Sequence, residues 1–110
     1  MYRAAFRMQL RPGCFAEYVA RHKAMWPEVA ALLAARGVRL AVHRLAEEQL
    51  ILLVSAPSEQ AWKGVDDYEV MQRWDAHLAE LLVTDAGGLI AQGELPFVWA
   101  TGTDAGVSGA

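Results

Sequence analysis

Residues 2–33 read YRAAFRMQLRPGCFAEYVARHKAMWPEVAALL, and the apolar period changes partway along. Up to Leu10 the period is two. Tyr2, Ala4, Phe6, Met8 and Leu10 point one way, and Arg3, Ala5, Arg7 and Gln9 the other, the pattern of a strand with one core face. Pro12-Gly13 breaks it. From about residue 14 to 36 the period is helical, with Phe15, Tyr18, Val19, His22, Met25, Trp26, Val29, Leu32 and Leu33 on one stripe. Gly37 is a natural stop. Pro27 removes a backbone donor and clashes with the carbonyl of Lys23, so a single helix kinked at that point is predicted.

Working outward, residues 38–45 (VRLAVHRL) read as a second strand, 46–49 as a hairpin turn, and 50–54 (LILLV) as a third strand. That third strand is apolar on both faces and must be covered on both. One chain with few helices covers only one side, so a homodimer is expected. Ser58 and Glu59 start a short helix over 58–64. Asp66 or Asp67 caps a longer one to about residue 83, with Val70, Met71, Trp74, Leu78, Leu81 and Leu82 on its stripe. Residues 84–94 read as a glycine-bearing loop, and 95–100 (LPFVWA) as a last strand that Pro96 places at an edge. One domain spans 1–100, and the small polar residues 101–110 are expected to form a disordered tail. The order β-α-β-β-α-α-β is close to the split-βαβ arrangement of ferredoxin-like folds. The expected fold class is α+β, with helices on one face of a four-stranded antiparallel sheet.

Composition narrows the function. The 110 residues are 55% hydrophobic and 21% charged, with net charge −3 and no basic stripe, so nucleic acid is not an expected partner. No run approaches 18 apolar residues, so no membrane span is expected. One cysteine, Cys14, allows no internal disulfide and fits a reducing compartment. Met1 leads directly into the first strand without a basic or apolar leader, which points to the cytoplasm.

Tyr18, His22 and Trp26 lie four apart, so a hydroxyl, an imidazole and an indole share one helix face. Histidine suits proton transfer near neutral pH. On spacing alone, a lone histidine on an apolar face equally suits a core residue with one hydrogen bond. His43 on the second strand faces either a pocket or solvent, and His77 falls at the solvent edge of the long helix. Three histidines without close ligand spacing make no zinc site. Cys14 has no base neighbour, and GGLIAQG lacks the lysine and the strand–helix context of a phosphate-binding loop.

The stretch AFRMQLRPGCFAEYVARHKAMWPEV, with its EYxxxHxxxWPE run, resembles the start of L-rhamnose mutarotases. Gly37, the paired leucines of the third strand, Trp62 and the QRW at 72–74 extend the resemblance over roughly residues 1–100. It implies a homodimeric, ferredoxin-like α/β barrel that interconverts α and β anomers of a 6-deoxy sugar without metal or organic cofactor. It implies His22 as proton donor, with Tyr18 and Trp74 on the sugar. Two departures stand out. Leu40-Ala41 replaces the family's usual Asn-Tyr, and Asp75 replaces the second tryptophan of a usual Trp-Trp pair. The candidate site is therefore His22 as catalyst, with Tyr18, Trp26, Ala41, His43, Trp74 and Asp75 around the substrate. Asp75 would accept from sugar hydroxyls or serve as base, and His43 would supply a replacement polar contact.

The mechanism expected is ring opening. A base takes the anomeric proton, an acid protonates the ring oxygen, the C1–C2 bond rotates, and the ring recloses. Three other readings stand beside it. One is a mutarotase for L-fucose or another sugar. Another is a non-catalytic sugar-binding relative. The last is a cofactor-free monooxygenase or haem-degrading protein on the same barrel, which fold analogy alone allows.

Overall fold

The computed structural model describes residues 1–101, so the tail expected at 101–110 lies outside the described residues from 102 on. Four strands form one antiparallel sheet: β1 (Tyr2–Gln9), β2 (Arg39–Ala46), β3 (Gln49–Ala56) and β4 (Gly93–Leu95), in the order β2-β3-β1-β4. Four α-helices join them: α1 (Phe15–Lys23), α2 (Pro27–Ala35), α3 (Glu59–Lys63) and α4 (Glu69–Ala79). This is the ferredoxin-like α+β arrangement that the element order implied.

Register turns the alternation into two faces. Met8 pairs with Leu50, Phe6 with Leu52 and Ala4 with Val54 across β1 and β3, and Leu40 and Val42 join that face from β2. Met8, Leu50, Leu52 and Val54 are buried against Tyr18, Val29, Leu33, Met71, Trp74 and Leu78 from the helices. The other face carries Ala41 opposite Leu53 and His43 opposite Ile51, and Leu53 is 42% exposed there. The helices thus cover one face of the sheet, half of what LILLV required.

The expected single kinked helix is instead two helices. Trp26 is extended (φ −61°, ψ 132°) because a residue before proline is pushed out of the helical region. Pro27 then begins α2 as its first residue, where its missing N–H costs nothing. Residues 24–26 are therefore a corner, and Trp26 leaves the stripe that the periodicity drew.

The end of α2 follows the expectation for Gly37. Its φ is +69°, Val38 N–H donates to Leu33 C=O at 2.9 Å, and Gly37 N–H donates to Ala34 C=O at 3.1 Å. That double closure is a Schellman motif, and Val38 and Leu33 are both buried beside it. Arg36 ties this end to α3 by donating to Ala61 C=O at 2.8 Å and Gln60 C=O at 3.0 Å.

Three boundaries moved. Asp66 and Asp67 do not cap α4: they sit in a 3₁₀ turn, Gly64–Asp67, and extended Tyr68 precedes the helix. The long helix stops at Ala79, since Leu82 leaves it to bridge to Leu10 and Val83 N–H donates to Gln9 C=O at 2.8 Å. Sheet pairing outcompetes the last helical turn there. The last strand is Gly93–Leu95 instead of 95–100, because Pro96 has no N–H to continue the ladder. Beyond it Val98 and Trp99 are 88% and 75% exposed. Among the described residues no helix is long and apolar enough to cross a membrane.

Candidate active site

A cavity of about 960 Å³ opens between the sheet and the helices, at the upper end of the range typical of small-molecule sites, about 300–1,000 Å³. Its floor is sheet: Met8, Val42, Leu50 and Leu52. Its walls are Tyr18, His22 and Met25 from α1 and the corner after it, with Trp74 and Asp75 from α4. Trp62, Asp66 and Gln72 also line it.

His22 is held by its own helix. Its Nδ1 lies 2.8 Å from the carbonyl oxygen of Tyr18, one turn back. A carbonyl only accepts, so Nδ1 carries the proton and Nε2 is the nitrogen left for exchange. The ring packs 4.2 Å from the Tyr18 ring and 5.7 Å, edge-on, from Trp74. Tyr18 is 5% exposed, and burial pushes its phenol up to about 12. It therefore stays protonated at neutral pH and can donate a hydrogen bond, but it is a poor base.

Among the described residues, Asp75 and Asp66 are the carboxylates on the cavity wall. Burial, reinforced by the nearby Asp66 carboxylate, lifts Asp75 to about 6. The same two causes, burial and then a neighbouring carboxylate (here Asp67), raise Asp66. Among the described residues no group of three His, Cys, Asp or Glu is placed to hold a metal ion.

The structure gathers some of the expected residues and separates others. Tyr18, His22, Trp74 and Asp75 line one cavity, and Ala41 borders it from the edge strand β2. His43 is not part of it: the register sets His43 opposite Ile51 on the far face of the sheet. Trp26 is not part of the wall either. From the corner it stacks edge-on against Trp74 at 5.2 Å and thus backs the wall from behind. His77, expected at a solvent edge, is half-buried and lies 5.4 Å from Trp26 and 5.7 Å from Trp74. Its place three residues after Trp74 was the available signal. Trp62 and Asp66 reach the cavity from short elements whose faces periodicity alone does not orient, and Gln72 from α4 beside its apolar stripe.

Fold and cavity together define the class: a ferredoxin-like α+β protein with an aromatic-walled cavity lined by one imidazole and two carboxylates, Asp75 the more buried of them. Residues 3–99 match the family model described as L-rhamnose mutarotase. The chain is 42% identical to the L-rhamnose mutarotase of Jannaschia sp. over 86 residues, covering 76% of this chain and 83% of that protein. It is 43% identical to that of Verminephrobacter eiseniae over 83 residues, covering 73% and 77%. The chain belongs to the L-rhamnose mutarotase family. In fold it matches the crystal structure of an L-rhamnose mutarotase from Formosa agariphila with a TM-score of 0.78 at 23% identity, over 93% of this chain and all of that one. It also matches tetracenomycin F2 cyclase from Streptomyces glaucescens with a TM-score of 0.60 at 17% identity, over 93% of this chain and all of that one. That second protein is named for a different reaction, so the fold alone does not select the chemistry.

Proposed function

We propose that this chain is a mutarotase that interconverts the α and β anomers of L-rhamnose, with His22 as its acid. The observation that carries the reading is the His22 imidazole: Nδ1 is fixed on the Tyr18 carbonyl, and the ring lines an aromatic cavity of small-molecule size. Family membership supplies the reaction. His22 in its imidazolium form gives its Nε2 proton to the ring oxygen while the anomeric hydroxyl gives its proton to water, and the ring opens to the aldehyde. Rotation about C1–C2 and reclosure on the other face complete the exchange. Tyr18, held as a phenol, orients the sugar by donating a hydrogen bond. Trp74 offers an aromatic edge to the apolar C–H face of the pyranose, with Trp26 and His77 packed behind it.

The working form is a homodimer. The far face of the sheet leaves Leu53 and Leu45 exposed, along with Trp99 past β4, and a second copy packed there would close a barrel. Such a protein with a lone free cysteine suits the cytoplasm.

Saturation-transfer NMR of the anomeric protons tests the reaction directly, with L-rhamnose and L-fucose as substrates. Wild-type protein accelerates exchange, and His22→Ala lowers the acceleration by about 10²–10⁴-fold, the usual worth of a positioned acid. An exchange rate that wild-type protein leaves unchanged for both sugars would overturn the reading and leave a sugar-binding relative without catalysis. L-fucose exchange faster than L-rhamnose exchange would keep the chemistry and replace the sugar.

A further inference from the structure

We infer that the Asp75 carboxylate is a specificity-determining group that accepts a hydrogen bond from a hydroxyl of the bound sugar. The inference rests on the mutarotase reading and deepens it.

Asp75 is half-buried on the cavity wall, directly after Trp74. Among the described residues no hydrogen bond or ion pair reaches its carboxylate. The groups that could have supplied one are engaged elsewhere or cannot donate. Gln72 Nε2 donates to the Asp66 carbonyl at 2.9 Å. Arg44 lies over the Phe15 ring at 4.0 Å and donates twice to the Glu47 carbonyl. His22 gives its Nδ1 proton to Tyr18. The remaining charged side chains on the cavity are Lys23, at the exposed end of α1 and without an ion pair to Asp75, and Asp66, which repels Asp75.

A carboxylate partly withdrawn from water without a donor is costly unless something else donates to it. The raised pKa of Asp75 is the visible mark of that cost. Sugars are dense in hydroxyl donors, and a carboxylate accepts from them with the strength of a charge-assisted hydrogen bond. A methyl group set against Asp75 would leave the cost in place. The wall at α4 therefore selects a sugar that turns a hydroxyl toward it, whereas the aromatic wall of Trp74 takes the apolar face.

L-Rhamnose and L-mannose differ only by a hydroxyl on C6, so they separate the two ways of meeting Asp75. KM and kcat are measured by saturation transfer for wild type, Asp75→Asn and Asp75→Leu with both sugars. Asp75→Leu raises KM about tenfold to a hundredfold with kcat little changed. Asp75→Asn recovers part of the loss, because the amide keeps one carbonyl acceptor. A loss confined to L-mannose identifies the exocyclic hydroxyl, and an equal loss with both sugars identifies a ring hydroxyl; each supports the inference. An unchanged KM in Asp75→Leu overturns it. So does a collapse of kcat at unchanged KM, which would make Asp75 the base. Either failure leaves the mutarotase reading intact as long as wild type still accelerates exchange, and that reading falls separately if it does not.

Discussion

In its proposed role, Asp75 sets function against stability within one side chain. Its carboxyl titrates at about 6 in the folded chain against 3.8 for the free group, raised first by burial and then by Asp66. The folded state therefore holds this proton more tightly than the unfolded state does. Asp75 is neutral in folding below about pH 4, and its cost appears as pH rises through 4 to 6 and stays above that. At pH 7 the cost is at most about 3 kcal/mol, and less once solvent screening of the partly exposed carboxylate is counted. Asp75→Asn should raise the Tm at pH 7 to 8, and the gain should shrink to nothing as pH falls toward 4; a gain independent of pH in thermal scans would remove burial of the charge as its cause. His22 shows the opposite arrangement at the same scale. One backbone carbonyl at 2.8 Å settles its tautomer, so its chemistry depends on a helix turn and not on a second side chain. Tyr18 and His22 were legible as a pair from their spacing of four, because a single helix holds both. Asp75 was legible as a departure from the family pattern, but its lack of a donor is visible only with its neighbours in place.

Among the elements, the corner at 24–26 and the end of α2 shape the cavity. Trp26 is extended before Pro27, so α2 leaves α1 at a corner, and the indole braces Trp74 from behind. Periodicity placed Trp26 on the α1 stripe because a hydrophobic stripe continues across a proline as readily as within a helix. Proline restricts its predecessor, and that local rule overrode the pattern. Gly37 was read correctly, since a positive φ after a helix is a demand of the backbone itself. Gly37→Ala should cost about 1–3 kcal/mol in urea unfolding, from the left-handed φ and from a Cβ that would stand 2.9 Å from the Pro57 ring. An unchanged midpoint would mean that the Schellman turn relaxes without cost. The late boundaries failed for a shared reason. Leu82 and Val83 exchange helical bonds for bridges to β1, partners more than 70 residues away, which no local window contains.

For the whole molecule, the sheet has one face roofed by helices and one face bare. LILLV predicted the double demand, and the structure meets half of it: Leu50 and Leu52 are buried while Leu53 is 42% exposed. On the proposed reading, a second copy of the chain is the cover that would complete the barrel. Sedimentation velocity should find wild-type protein as a dimer and Leu53→Glu as a monomer, because a carboxylate on that face would lose its water on association. A wild-type monomer at micromolar concentration would show that the bare face needs no cover. His43 belongs to this face too, opposite Ile51, which moves it from the sugar to the surface that a second copy would meet.

The sequence by itself determined the element order, the core face of the first strand, the stop at Gly37 and the pairing of Tyr18 with His22. Each of these depends on interactions within a few residues, where period and backbone preference act directly. Tertiary structure alone decided which side chains share the cavity. It joined Asp75, Asp66 and Trp62 to His22, set Trp26 and His77 behind Trp74, and carried His43 to the opposite face. The reason is strand register and helix rotation: a shift of one residue, or a turn of 100°, sends a side chain to the other side of its element, and only packing between distant segments sets either one.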